Sequence, residues 1–139
     1  MFAYSINRGR TKSYKTLYNE PCECLYCQNF RTAYPELCPH GNALLERFGL
    51  SVESALEVAE EGSENSEDVN YTAYFCVAGT LTADGYNVVV RDTSDIRLFK
   101  PSTREAVYNN TDMEEPYYIL RLEVNLPWVL ESKPEPVST

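Results

Sequence analysis

Side chains that carry out acid–base chemistry near neutral pH are scarce in this sequence. The chain of 139 residues has one histidine, His40, and histidine is the side chain whose unperturbed pKa lies closest to neutral pH. A catalytic acid–base pair would therefore have to consist of carboxylates, and neighbouring acids such as Asp92 and Asp95 more often form a solvated turn. Glycine-rich phosphate-binding motifs are also missing, since Gly9 and Gly41 belong to none. We therefore expect a protein that is not an enzyme.

Long apolar runs are absent as well. No stretch of the sequence approaches the roughly 20 apolar residues of a membrane-spanning helix, so we expect no membrane partner. Residues 1–8 lack the apolar region of a signal peptide, and we expect a cytoplasmic protein. Thiols stay reduced in the cytoplasm, where clustered cysteines favour metal binding or redox chemistry over a disulfide framework.

Positive charge is also in short supply. The sequence has 12 Lys and Arg residues against 21 Asp and Glu residues, which gives a net charge of −9. No Lys or Arg occurs between Arg47 and Arg91, and the acidic residues of that stretch are Glu53, Glu57, Glu60, Glu61, Glu64, Glu67, Asp68 and Asp84. Overall acidity disfavours nucleic acid as a partner. It suits a basic protein partner, although solubility alone also accounts for it.

Cysteine is the residue type that suggests chemistry. Cys22, Cys24 and Cys27 lie close together, and Cys38 and His40 follow. A Cys-x-x-Cys turn that enters a helix can place two sulfur atoms on one zinc ion, and zinc takes four ligands. We therefore consider a zinc site formed by Cys22, Cys24, Cys27 and Cys38, with His40 as the alternative fourth ligand.

Two other interpretations of these cysteines stay open. Cys24 and Cys27 alone have the spacing of a thiol-redox pair, because a helix N-terminus favours the thiolate. Redox proteins of the thioredoxin type place this motif in a β-α-β unit, however, and the sequence predicts no such unit. The cysteines would otherwise be small apolar residues at the start of a helix.

Alternating apolar and polar residues predict a sheet-based fold. The segments 71–82 and 117–126 alternate, and Asp84-Gly85 predicts a hairpin turn that brings 86–91 back against 71–82. Shorter strands are predicted through Ile96 and Leu98 and, near the start of the chain, at 14–18. The expected fold class is α+β, an antiparallel sheet of about five or six strands with a short N-terminal helical segment.

Helices are expected in the first half of the chain only. The segment 25–33 predicts one helix that ends before Pro35, and 42–48 predicts a second one, with Gly49 as its left-handed C-terminal residue. The segment 51–60 fits a helix or a strand. The run 60–70 is polar and predicts a loop. We expect a single domain at 1–130 and a disordered tail at 131–139.

Cys22, Cys24 and Cys27 are followed by Asn29 and Phe30, which gives the pattern C-x-C-x-x-C-x-N and then an aromatic residue. In this the chain resembles a family of small, uncharacterised bacterial cytosolic proteins. Looser similarities follow at Gly49-Leu50, at 71–79 and at Pro127-Trp128. The resemblance implies no known activity, and it implies an extended segment at 51–60.

The predicted function is therefore a binding role. We expect a protein-binding module that presents an acidic surface to a basic partner. Zinc binding or thiol-redox chemistry at Cys22, Cys24 and Cys27 is the alternative. Cys38 and His40 lie outside the family pattern, so the resemblance does not support a site that uses them.

Overall fold

The computed structural model describes residues 3–14, 23–62, 68–101 and 113–132. Three α-helices, one turn of 3-10 helix and five strands lie within them. The helical elements are α1 (Arg8–Ser13), α2 (Leu25–Leu37), α3 (Pro39–Phe48) and the 3-10 turn (Val52–Ser54). The strands are β1 (Glu57–Gly62), β2 (Asp68–Ala78), β3 (Tyr86–Val88), β4 (Asp95–Phe99) and β5 (Tyr117–Pro127). No helix in these ranges is long and apolar enough to cross a membrane.

The strands form one antiparallel sheet in the order β1-β2-β5-β4-β3. The central pair β2 and β5 aligns from Asp68 opposite Pro127 to Ala78 opposite Tyr117. This confirms the predicted α+β class, with five strands among the described residues.

One face of the sheet is covered by α2 and α3. Side chains alternate between faces along a strand, so the apolar residues of β5 that share a face are all buried: Tyr118, Leu120, Leu122, Val124 and Leu126. They belong to the main core together with Phe30 and Tyr34 of α2 and Leu45 and Phe48 of α3. The other face carries a smaller apolar cluster of Leu56, Cys76, Phe99 and Ile119.

The predicted hairpin between 71–82 and 86–91 is wrong. The turn itself forms, with Gly85 at φ 74°. However, β3 pairs with β4 and not with β2. Both edges of β2 are already occupied, by β1 and by β5, so the chain after the turn continues to the far side of the sheet.

The boundary of α2 also differs from the prediction. The helix continues through Pro35 to Leu37, although proline removes one helical hydrogen bond. Burial of Ala33 and Tyr34 in the main core holds the last turns in place. The next helix, α3, begins at Pro39 and ends as predicted: Gly49 is left-handed, and the amide of Leu50 donates to the carbonyl of Leu45 at 2.8 Å.

The segment 51–60, for which the sequence left helix and strand open, contains both kinds of structure. Residues 51–60 contain the 3-10 turn and then the start of β1, so the expected extended segment covers only the second half. The predicted loop 60–70 is wrong at both ends, because Glu60 and Glu61 belong to β1 and Asp68 begins β2. Residues 63–67 lie outside the described part.

The N-terminal residues pack against the end of β2. The Ser5 amide donates to the Thr80 carbonyl at 2.8 Å, and the Asn7 amide donates to the Ala78 carbonyl at 2.7 Å. The predicted strand at 14–18 begins where α1 has just ended, and its remaining residues lie outside the described part. The predicted tail at 131–139 lies outside it from residue 133 onward.

Candidate functional site

Cys24 and Cys27 share the first turn of α2. Cys24 is the N-cap residue, and its Sγ accepts a hydrogen bond from the Cys27 amide at 3.4 Å. Cys24 is exposed and Cys27 is buried, and the two are three residues apart at the start of α2. Cys22 lies outside the described residues.

Cys38 and His40 lie at the other end of α2. Cys38 is 2% exposed, and its Sγ is 3.7 Å from Thr93 Oγ1. Cys38 lies eleven positions after Cys27, which is about 16 Å along a helix axis. Among the residues that the structure describes, no group of three or more His, Cys, Asp or Glu could hold a metal ion. A zinc site that includes Cys22 stays a prediction.

Asn29 fastens the N-terminal half of α2 to the end of β5. Its side chain is completely buried, and Nδ2 donates to the Tyr71 hydroxyl and to the Pro127 carbonyl, both at 3.2 Å. Oδ1 accepts from the Val129 amide at 2.8 Å. The Tyr71 hydroxyl in turn donates to the Tyr26 carbonyl at 2.8 Å. The hydrogen bonds of this cluster therefore hold α2 against the sheet.

An aromatic contact reinforces the same junction. The rings of Tyr26 and Trp128 meet edge to face, with their centroids 5.5 Å apart, a favoured geometry for aromatic pairs. Two segments that the sequence linked only by loose resemblance, Asn29-Phe30 and Pro127-Trp128, thus contact each other.

Sequence reasoning missed the role of Asn29. The available signal was its position four residues before buried Ala33, which places a polar side chain on the apolar helix face.

Tyr71 remains protonated in this environment. Burial raises the pKa of Tyr71 to about 12, and the negative charge of Glu60 adds to the shift, while the hydrogen bond with Asn29 opposes it. A hydroxyl with such a pKa is protonated at neutral pH and can donate the hydrogen bond to the Tyr26 carbonyl.

A second polar cluster lies where α3 begins. The N-cap residue Cys38 provides no side-chain cap. Asp92 from the β3–β4 connection takes this role, since Oδ2 accepts from the Gly41 amide at 2.8 Å and Oδ1 from the Ser94 amide at 2.9 Å. The Ser94 hydroxyl is 2.8 Å from the Tyr34 hydroxyl. Asp92 therefore caps a helix, a role that the sequence, which suggested only a solvated turn, did not show.

Because Gly41 has no side chain, the hydroxyls of Tyr34 and Ser94 can lie close to the start of α3. A Cβ atom at position 41 would overlap the hydroxyl oxygens of Tyr34 and Ser94. The pKa of Asp92 is lowered on balance: partial burial raises it, but hydrogen bonds from Ser94 and from the Gly41 amide, and the nearby His40, outweigh that effect.

We call the exposed glutamates Glu57, Glu60 and Glu61 of β1, with Asp68 at the start of β2, the acidic edge. β1 is the first strand in the sheet order, so no strand of the described part lies outside it. Glu57 and Glu61 project from the open face of the sheet and Glu60 from the helix-covered face, because side chains alternate. Glu64 and Glu67, which the sequence also placed here, lie outside the described residues.

Comparisons with known proteins found no relative that shares these features. No family model matches the chain, and neither a curated protein nor a solved structure matches it. The family resemblance at Cys22, Cys24, Cys27, Asn29 and Phe30 stays a prediction. Within that pattern, Asn29 and Phe30 are fully buried, so packing alone explains why these two residue types stand there.

Proposed function

We propose that this protein is a non-enzymatic binding module that recognises a basic segment of a protein partner at its acidic edge. The observation that carries the proposal is the position of β1 at the border of the sheet, with exposed Glu57, Glu60 and Glu61. A border strand offers backbone N–H and C=O groups to an added strand.

The charge pattern determines which segment fits. Facing side chains on neighbouring antiparallel strands have Cβ atoms about 5 Å apart, and opposite charges there are favourable. Lysine or arginine residues of an extended partner would thus lie opposite the glutamates on both faces of β1. Two copies of β1 placed side by side would instead bring like charges together, which protects this border against self-pairing.

The buried hydroxyls support a role without catalysis. Burial raises the pKa of Tyr34 and of Tyr118 well above the usual tyrosine range. Their hydrogen bonds go to Ser94 and to the Ser5 carbonyl. Both side chains are fully buried, so these hydroxyls are used in packing.

The test is binding of a labelled peptide with alternating lysine and valine, followed by fluorescence anisotropy. We expect saturable binding that weakens as NaCl rises, because salt screens the attraction. Replacing Glu60→Lys and Glu61→Lys together should weaken binding by at least about tenfold, as close charge pairs across an interface do.

The matched control is the double substitution Glu36→Lys and Glu53→Lys, which changes the net charge equally. Both of these residues are exposed and lie on α2 and the 3-10 turn. If the control weakens binding as much as the β1 variant, overall charge and not the acidic edge is responsible, and the proposal fails.

Zinc binding or thiol chemistry is the second candidate function. One observation favours it: Cys24 and Cys27 share the first turn of α2, and Cys24 is exposed while Cys27 is buried. The zinc content of the purified protein decides this candidate.

A further inference from the structure

A groove lies beside α3, at the border of the sheet opposite the acidic edge. It runs between α3 and the segment after β3, has a volume of about 350 Å³, and its lining includes His40, Leu44, Arg47, Val89, Val90 and Arg91. We call it the α3 groove. β1 and β3 are the first and last strands of the sheet, four strand spacings or about 19 Å apart. The two features are therefore separate.

The α3 groove is basic in a protein whose net charge is −9. Arg47 and Arg91 both line it and are exposed, and among the described residues neither forms an ion pair. The nearby carboxylate of Asp92 is already bonded to the Gly41 and Ser94 amides. Two guanidinium groups are thus available to a ligand, with the imidazole of His40 beside them.

The groove also has an aliphatic part. Val89 is 87% exposed, more than any other large apolar side chain in the described residues. Leu44 and Val90 lie partly buried beside it, against the main core. A ligand that covers Val89 would remove apolar surface from water while it pairs with the arginines.

We propose that the α3 groove binds an acidic peptide segment in which carboxylates flank an aliphatic side chain. Arginine pairs with a carboxylate through two parallel hydrogen bonds, and the aliphatic residue would cover Val89. A single inorganic anion would leave the apolar lining unused. A nucleic acid would bring more phosphates than the two arginines of the groove can pair with. This inference is independent of the acidic edge.

The probe is a fluorescein-labelled peptide of sequence Glu-Glu-Val-Glu-Glu, and anisotropy measures its binding to the full chain at low salt. We expect saturable binding. The peptide with glutamine in place of every glutamate should bind at least about tenfold more weakly, because it lacks the charge-assisted hydrogen bonds. This comparison leaves the protein unchanged, so folding cannot affect it.

Protein variants locate the site. Arg47→Gln with Arg91→Gln should weaken binding of the acidic peptide by at least about tenfold. The control Arg97→Gln with Lys100→Gln makes the same charge change on exposed residues outside the groove and should change affinity by less than about twofold. Val89→Ser should weaken binding by about threefold or more, because it removes apolar contact.

Four results would overturn the proposal. The peptide could show no saturable binding, or both double variants could lose affinity equally. Millimolar phosphate could displace the peptide fully, which would indicate a simple anion site, or a single-stranded DNA oligomer could bind more tightly than the peptide. Sedimentation of the free protein adds one more check: a dimer that dissociates in the Arg47→Gln, Arg91→Gln variant would assign the groove to a second copy instead.

Discussion

Asp92 bonds through its two carboxylate oxygens to the amides of Gly41 and Ser94, at the point where α3 begins. The first amides of a helix have no partner within the helix and lie at the positive end of its dipole. A carboxylate there satisfies one of them and interacts favourably with the dipole. The cap comes from a residue 51 positions away in sequence, so it joins α3 to the β3–β4 connection as well.

We therefore predict that Asp92→Ala lowers the free energy of unfolding by about 1–2 kcal/mol at pH 7, the usual cost of a lost cap. Urea unfolding followed by circular dichroism measures it. Asp95→Ala is the control, because Asp95 is half-buried on β4 and its ion pair in the described part of the chain is with partly exposed Arg97 at 3.7 Å. An equal loss in both variants would show that Asp92 adds nothing as a cap.

The pH dependence has a definite sign. The pKa of Asp92 is lower in the folded protein than its ordinary value of 3.8. The stability that this carboxylate contributes is therefore complete above that ordinary value and disappears as the pH falls through the lower, folded-state pKa. The difference between wild type and Asp92→Ala should shrink when unfolding is repeated at decreasing pH. A difference that grows on acidification would contradict the capping role.

The hydrogen-bond partners of Asn29 and Asp92 could not be predicted from the sequence. Both have partners that are distant along the chain: Val129 for Asn29 and Gly41 for Asp92. Local pattern shows that Asn29 lies on an apolar helix face, but it does not show which backbone groups end there. Only the packing of α2 on β5 brings the Asn29 side chain to the Val129 amide.

Among the elements, β2 and β5 were predicted best. Burial alternates over most of each strand, and burial of one face fixes the register, since a slip by one residue would turn the apolar side chains of that face to the wrong side. The pairing of β3 was not predictable in the same way. A turn signal such as Asp84-Gly85 shows that the chain reverses, but it does not show that β2 already has neighbours on both sides.

Leu122 tests the register of the central strands. It is fully buried and lies opposite Ala73 of β2 and Ile96 of β4. Leu122→Ala should lower the free energy of unfolding by about 2–5 kcal/mol, through lost burial and the cavity that remains. The control Asn125→Ala lies on the same strand but is exposed. A loss below about 1 kcal/mol at Leu122 would mean that the register is wrong.

Charge is unevenly distributed over the whole molecule. The acidic edge lies at the β1 border and the α3 groove at the β3 border. The sequence showed the acidic stretch between Arg47 and Arg91, but not that these two arginines meet in one groove. Both line it because the start of α3 lies against the segment after β3, where the Gly41 amide donates to Asp92, and the hydrophobic pattern does not specify this contact.

Zinc binding would affect the stability of the whole molecule, because metal binding is coupled to folding. The N-terminal turn of α2 carries Cys24 and Cys27, and Asn29, just beyond it, is bonded to the end of β5. A metal bound at this turn would therefore stabilise the junction of helix and sheet. If zinc binds there, protein purified without oxygen should contain about one zinc ion per chain.

Cys24→Ser is the decisive substitution. Serine is a good N-cap residue, so it replaces the cap that Cys24 provides, and only the loss of a metal ligand should lower the melting temperature. We predict a loss of zinc and a lower melting temperature in this variant. Cys38→Ser should leave the zinc content unchanged, because Cys38 lies about 16 Å from Cys27 along α2. Metal-free protein whose melting curve is unaffected by a strong chelator would exclude the zinc site; Cys27 and Cys38 would then be packing residues, and Cys24 the N-cap of α2.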